Sequence, residues 1–245
     1  MADDLASPTF PPLLTGHPVA ASGDAFAAAL AAVRAGAGGA GDVYWSQALN
    51  RLDFALVFEP DVVARQALQV HLAIMVAFGD ALGAIAPPET AVHYRWPGTL
   101  LINGAAAGGL RTALTATPDG ETVPAHMVTG LTLAIHPAVA GPEPGLAPEL
   151  TSLWDEGCTD IDRTRLIESI ARHILTWIDA WETEGFKAVH ATWCGRAEGR
   201  QEGVTVAGAA IPKGAFVGLD EDGNLLVAAE QGAKVRCLMD HVERI

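Results

Sequence analysis

The chain has 245 residues, half of them hydrophobic, with fifteen basic residues (three of them lysines) and a formal net charge of −14. So acidic a surface repels phosphate backbones, and no basic run offsets it, which excludes nucleic acid as a partner. Length and apolar content suffice for a core without metal or disulfide support, and Cys158, Cys194 and Cys237 are too far apart for a zinc knuckle or a disulfide framework.

The N-terminus, MADDLASPTFPPLL, is acidic where a secretion signal is basic, and its prolines interrupt any apolar run, so a cytoplasmic protein is expected. Ser22 precedes DAFAAALAAVR, which reads as a capped helix to Arg34, ended by glycines 36, 38, 39 and 41. VYW at 43–45 and FALVF at 54–58 read as strands. Pro60 and Asp61 open a helix of about six turns, whose Val62, Val63, Ala67, Val70, Ile74, Ala77, Phe78 and Leu82 recur at helical spacing. Its most apolar part, 68–86, contains His71 and Asp80, which argues for a buried helix rather than a membrane span.

Asn103-Gly104 predicts a hairpin within 100–115, because both turn positions need positive φ. A second turn at Asp119-Gly120 leads to HMVTGLTLAI, a central strand buried on both faces. The stretch PAVAGPEPGLAPEL is too rich in proline and glycine to be regular, and reads as a surface excursion or a lid. Asp162 caps a helix over 163–184 with a wide apolar stripe, and Gly185 stops it. Beyond Gly199 come short strands with a turn at Asp222-Gly223.

Two stretches, RWPGTLLINGAAAGGL at 95–110 and VTGLTLAI at 128–135, resemble the biotin and lipoate protein ligases. The helix ending in EGF, then Trp193 and GLDEDGNLLV, follow in that family's order. The resemblance implies an α+β fold: a class II ligase-like (biotin protein ligase-like) sheet with packed helices over residues 1–198, and a small SH3-like β-barrel over 199–245. It also implies an enzyme that activates a small carboxylic acid with ATP and Mg²⁺, then passes the acyl group from the acyl-adenylate to a lysine of a biotinyl or lipoyl carrier domain. The family's N-terminal DNA-binding domain is not expected here.

Departures from the family pattern fall on its charges. Its basic loop, GRGRRG, corresponds to GAGGAG at 36–41, and its KWPND to Arg95, Trp96, Pro97, Gly98 and Thr99. The catalytic lysine corresponds to Ala106, and the first 186 residues contain no lysine. Losing one preorganised donor to a developing anion removes roughly two to three powers of ten in rate, so classical adenylation is doubtful and no catalytic residue is assigned.

The ligand-binding candidates are Trp45, Arg95, Trp96, Gly108, Gly109, Arg111 and His126. Arg111 reads either as a cleft cation for a carboxylate or phosphate, or as one half of a surface ion pair. Arg95 beside Trp96 offers charge and stacking, against Trp96 as a core anchor; Trp45 has the same two readings. His126 and His136 flank the central strand without metal-ligand spacing, so no metal site is expected. Cys158, in an acidic loop, is a poor nucleophile. Two functions remain: a divergent ligase that handles an acyl acid or acyl-adenylate through Arg95 and Arg111, or a catalytically silent relative that binds a small ligand or a carrier domain.

Overall fold

The structure is a computed structural model that describes residues 7–115, 119–137, 146–198, 204–206, 209–211, 216–229 and 232–245. In chain order the elements are β1 (Thr15–Val19), α1 (Ala25–Arg34), β2 (Asp42–Ser46), β3 (Arg51–Phe58), α2 (Ala64–Ala67), α3 (Gln69–Gly83), β4 (Val92–Arg95), β5 (Thr99–Ile102), β6 (Ala105–Leu114) and β7 (Met127–Ala134). There follow α4 (Arg163–Glu184), α5 (Lys187–Gly195), β8 (Val204–Val206), β9 (Ala209–Ile211), β10 (Phe216–Leu219), β11 (Leu225–Ala229), β12 (Gly232–Arg236) and β13 (Glu243–Arg244).

One mixed sheet organises the chain, in the order β1-β2-β3-β7-β6-β5-β4, with β13 adding to β6. β7 is its central strand, flanked by antiparallel β3 and β6, as its continuous apolar run predicts. Asn103 (φ 49°) and Gly104 (φ 93°) make the turn between β5 and β6. Alternation along β3 divides the core: Leu52, Phe54 and Leu56 face α3 and α4, while Ala55 and Val57 face α1.

α1 starts two residues beyond the Ser22 cap read from sequence: Asp24 is its N-cap, accepting from the Ala27 N–H at 2.9 Å. The six-turn helix is divided at Leu68 into α2 and α3. α3 is buried nearly all round, which accounts for a segment, Ala64–Gly83, long and apolar enough by composition to cross a membrane. Its polar residues have partners. Asp80 meets Trp177 Nε1 and Arg196 Nη2, both at 2.8 Å, and Arg196 also donates to the Tyr94 hydroxyl at 3.0 Å. Burial pushes the Tyr94 hydroxyl up to about 12.

α4 is capped by Asp162 and ends at Gly185 (φ 76°). α5, unanticipated from sequence, follows at once and buries Val189 and Trp193. The C-terminal strands, among the described residues, form a three-stranded sheet (β10-β11-β12) and a two-stranded one (β8-β9). Leu219, Leu225, Val227 and Leu238 from this segment pack into the same core as α3. Of the proline- and glycine-rich stretch, residues 138–145 lie outside the described residues.

Candidate functional site

Four strands carry one transverse row of residues on the α1 face. Asp53 of β3 stands opposite Thr132 of β7, Thr132 opposite Gly109 of β6, and Gly109 opposite Thr99 of β5. Cross-strand partners share a face. The next row is Ala55, Gly130 and Arg111. α1 crosses this second row, with Phe26 over Gly130 and the Arg111 guanidinium 4.4 Å from the Phe26 ring centroid.

The N-terminus of α1 ends over Asp53, whose Oδ2 accepts the Ala25 N–H at 3.3 Å. Arg51 Nη2 holds the preceding loop through Ala21 O (3.2 Å) and Gly23 O (2.9 Å), and its Nε stands 3.7 Å from Asp53 Oδ2. Asp53 is only 3% exposed, and its Oδ1 has no hydrogen-bond partner. Burial pushes its carboxyl up, against the Ala25 N–H and with the charge of Asp24. Asp24 moves the other way: burial works upward, but the Ala27 N–H and the Arg111 ion pair outweigh it and hold its carboxyl low. The face therefore offers two guanidiniums, Arg111 shared with Asp24 and Arg51 engaged by the Ala21 and Gly23 carbonyls, and one buried acceptor.

Ala106 lies on this face too, because its neighbour Ala107 is buried in the opposite core. Here β7 has ended, and residues 149–151 run alongside instead: the Ala106 N–H donates to Glu149 O (2.8 Å), and the Thr151 N–H to Ala106 O (3.0 Å). The position that the sequence resemblance matches to the lysine is thus a methyl group on a fixed strand.

The glycine loop adds no cation. Gly39 N–H donates to Asp42 Oδ2 at 2.9 Å, so a carboxylate pins the end of the loop, and His17 holds the other oxygen of Asp42 at 2.8 Å. Among the described residues no three His, Cys, Asp or Glu side chains gather as metal ligands. Asp42 in the loop, Ala106 on the strand and an Arg111 already paired do not fit a triphosphate with its magnesium ion.

Of the sequence candidates, Gly109 and Arg111 share the α1 face. Gly108 lies beside them in β6, where a Cβ would strike the Thr132 carbonyl. The others lie elsewhere. Trp45 is buried on the helix side, with the Arg163 guanidinium 5.2 Å from its ring centroid. Arg95 is closed by Glu198 in a two-pronged bond (2.5 and 2.7 Å), and Trp96 is buried with its Nε1 donating to Gly223 O at 3.1 Å. His126 stands 3.7 Å from Glu59. Cys158 is buried, its Sγ 3.6 Å from Thr90 Oγ1.

Asp24, Asp53 and Thr132 were not among the sequence candidates. Asp53 had a signal, since it is the one charge inside the apolar run LDFALVF.

A ligase-like sheet with helices on both faces and an altered charge pattern is thus on view. The biotin/lipoate A/B protein ligase family profile matches residues 10–195, and the chain belongs to that family. It is 28% identical over 193 residues to a biotin–[acetyl-CoA-carboxylase] ligase of Paracoccus denitrificans, covering 78% of this chain and 79% of that protein. It is 26% identical over 203 residues to the bifunctional ligase/repressor BirA of Bacillus spizizenii, covering 82% of this chain but 60% of BirA. A biotin protein ligase-like protein of unknown function from Silicibacter sp. TM1040 superposes with a TM-score of 0.86 at 39% identity, covering 96% and 99% of the two chains. The Aquifex aeolicus biotin protein ligase in complex with biotin and ATP shares the fold at 18% identity, with a TM-score of 0.63 over 81% of this chain and 86% of that one.

Proposed function

We propose that this family member binds a small carboxylic acid, or the acyl-adenylate made from it, on the α1 face of the sheet, and does not make the adenylate itself. The observation that carries the reading is a pair of positions on that face: Ala106 in the lysine's place, and Arg111 as a cation five residues farther along the same strand. Arg111 meets the acid's carboxylate by exchanging it for Asp24, and Asp53 supplies an acceptor for a ligand N–H. Biotin and ATP in the Aquifex complex, and the carboxylase named for the Paracoccus ligase, support a biotin-like acid and a carrier domain as the partners to test first. The ligase reading, with Arg95 and Arg111 in place of lysines, is weaker because Glu198 already holds Arg95 in a fork. The same reading places the protein in the cytoplasm, with residues 199–245 as a small SH3-like module.

The test is thermal unfolding with biotin, lipoate and octanoate, each with and without MgATP, and with their non-hydrolysable acyl-adenylates, alongside acid-dependent pyrophosphate–ATP exchange. A ligand at a hundred times its dissociation constant adds about 2.7 kcal/mol, or roughly 5–10 °C for this length. A shift without exchange is the expected result. Acid-dependent exchange overturns the loss of adenylation, and no shift with any ligand overturns the binding face.

A further inference from the structure

The apolar stripe of α4 continues past the part that the fold covers. Leu166, Ile167, Ile170 and Ile174 are buried, whereas Leu175, Ile178 and Trp181, over the next two turns, are only partly covered. They form one wall of a cleft of about 510 Å³ on the helix side of the sheet. Leu56 and Phe58 of β3, Met127 of β7 and Val70 of α3 contribute to the rest of its apolar surface, with Leu13, Leu14 and Val62. The volume is that of a small-molecule site.

The cleft is held open by fixed parts. The Trp181 indole donates to Gln69 Oε1 at 2.7 Å, and Gln69 Nε2 in turn donates to Glu221 O at 2.8 Å. Across the opening, Gly41 N–H donates to Val57 O (3.0 Å) and Gly41 O accepts from Thr15 N–H (2.9 Å). With φ at +86° and the Leu13 carbonyl where a Cβ would go, only glycine suits that lip.

Three carboxylates, Glu59, Asp61 and Glu182, contribute to the lining, which contains no lysine, arginine or histidine. Glu59 has His126 at 3.7 Å, while Asp61 and Glu182 are exposed and make no ion pair among the described residues. An apolar cleft with an uncompensated anionic mouth, on a chain of net charge −14, selects one kind of occupant. We propose that this cleft binds a small apolar molecule bearing one protonated amine, with the hydrocarbon against Ile178 and Trp181 and the ammonium between Asp61 and Glu182. The site lies across the sheet from Arg111, since Leu56 faces it and Ala55 faces α1. It is therefore independent of acid binding at α1, and either can fail alone.

Calorimetric titration with 4-phenylbutylamine, 4-phenylbutanol and 4-phenylbutyrate at pH 7 reads the charge preference at constant hydrocarbon. The amine binds the wild type about ten-fold more tightly than the alcohol, and the carboxylate most weakly. Asp61→Asn with Glu182→Gln, both at exposed positions, brings amine and alcohol to within about two-fold, and Glu182→Lys reverses the order of amine and carboxylate. No amine binding, equal affinity for the three probes, or a preference untouched by the substitutions overturns the proposal.

Discussion

The ring of Phe26 lies so close to Gly130 that a Cβ there would come within 2.8 Å of its Cδ2. This contact sets how near α1 sits to the sheet, and hence where Asp24 meets Arg111 and where Ala25 caps Asp53. Gly130→Ala forces the helix outward. A loss of about 1–3 kcal/mol is expected in urea unfolding, and Phe26→Leu in the same chain recovers part of it. Additive losses from the two changes are the contrary result.

Arg111 and Asp24 make a second prediction. If the guanidinium is the anchor for an acid, Asp24 competes with that acid. Asp24→Asn keeps the cap acceptor for Ala27 and removes the competing charge, so affinity for the best acid rises about three- to ten-fold. Arg111→Met lowers it by at least about ten-fold. Equilibrium dialysis with labelled acid measures both.

Below the sheet, His71 is enclosed. Its Nε2 donates to Pro97 O at 3.0 Å, so its Nδ1 accepts from Thr112 Oγ1 at 2.9 Å, and Thr112 accepts in turn from Thr129 at 2.9 Å. Burial lowers its pKa from 6.5 to about 4. Between these values the unfolded chain takes up a proton that the native ring refuses, so stability falls as pH drops from about 6.5 to about 4. The loss approaches about 3 kcal/mol at the lower end. The difference in unfolding free energy between wild type and His71→Gln, followed from pH 7.5 to 4, should shrink over that window; a constant difference would contradict the assignment.

Arg95 and Glu198 hold β4 to the chain just after α5, next to the backbone bonds between Tyr94 and residues 196 and 198. Arg95→Lys keeps the charge and loses the fork, with an expected cost of about 1–2 kcal/mol in stability. Affinity for acids on the α1 face stays within about two-fold, as measured by calorimetry.

What sequence reading could see was local. The Asn103-Gly104 hairpin, the Asp162 cap and the Gly185 stop each depend on a few adjacent residues, and all three are present. α5 escaped because KAVHATWCG has no capping side chain and follows Gly185 too closely to read as a new helix. The candidate site was less legible for a different reason. Asp53, Thr132 and Gly109 are spread over eighty residues of chain, and strand register alone makes them neighbours. Arg95 and Trp96 looked like a ligand pair because their partners, Glu198 and Gly223, come from more than a hundred residues later.

β13 pairs in parallel with the far end of β6, Glu243 against Ala113 and Arg244 against Leu114, and the Ile245 N–H reaches Leu114 O at 3.3 Å. During synthesis on the ribosome this flank of β6 waits for residues made more than a hundred positions later. The edge is a sticky one until then, and β13 is the segment that protects it from pairing with another chain.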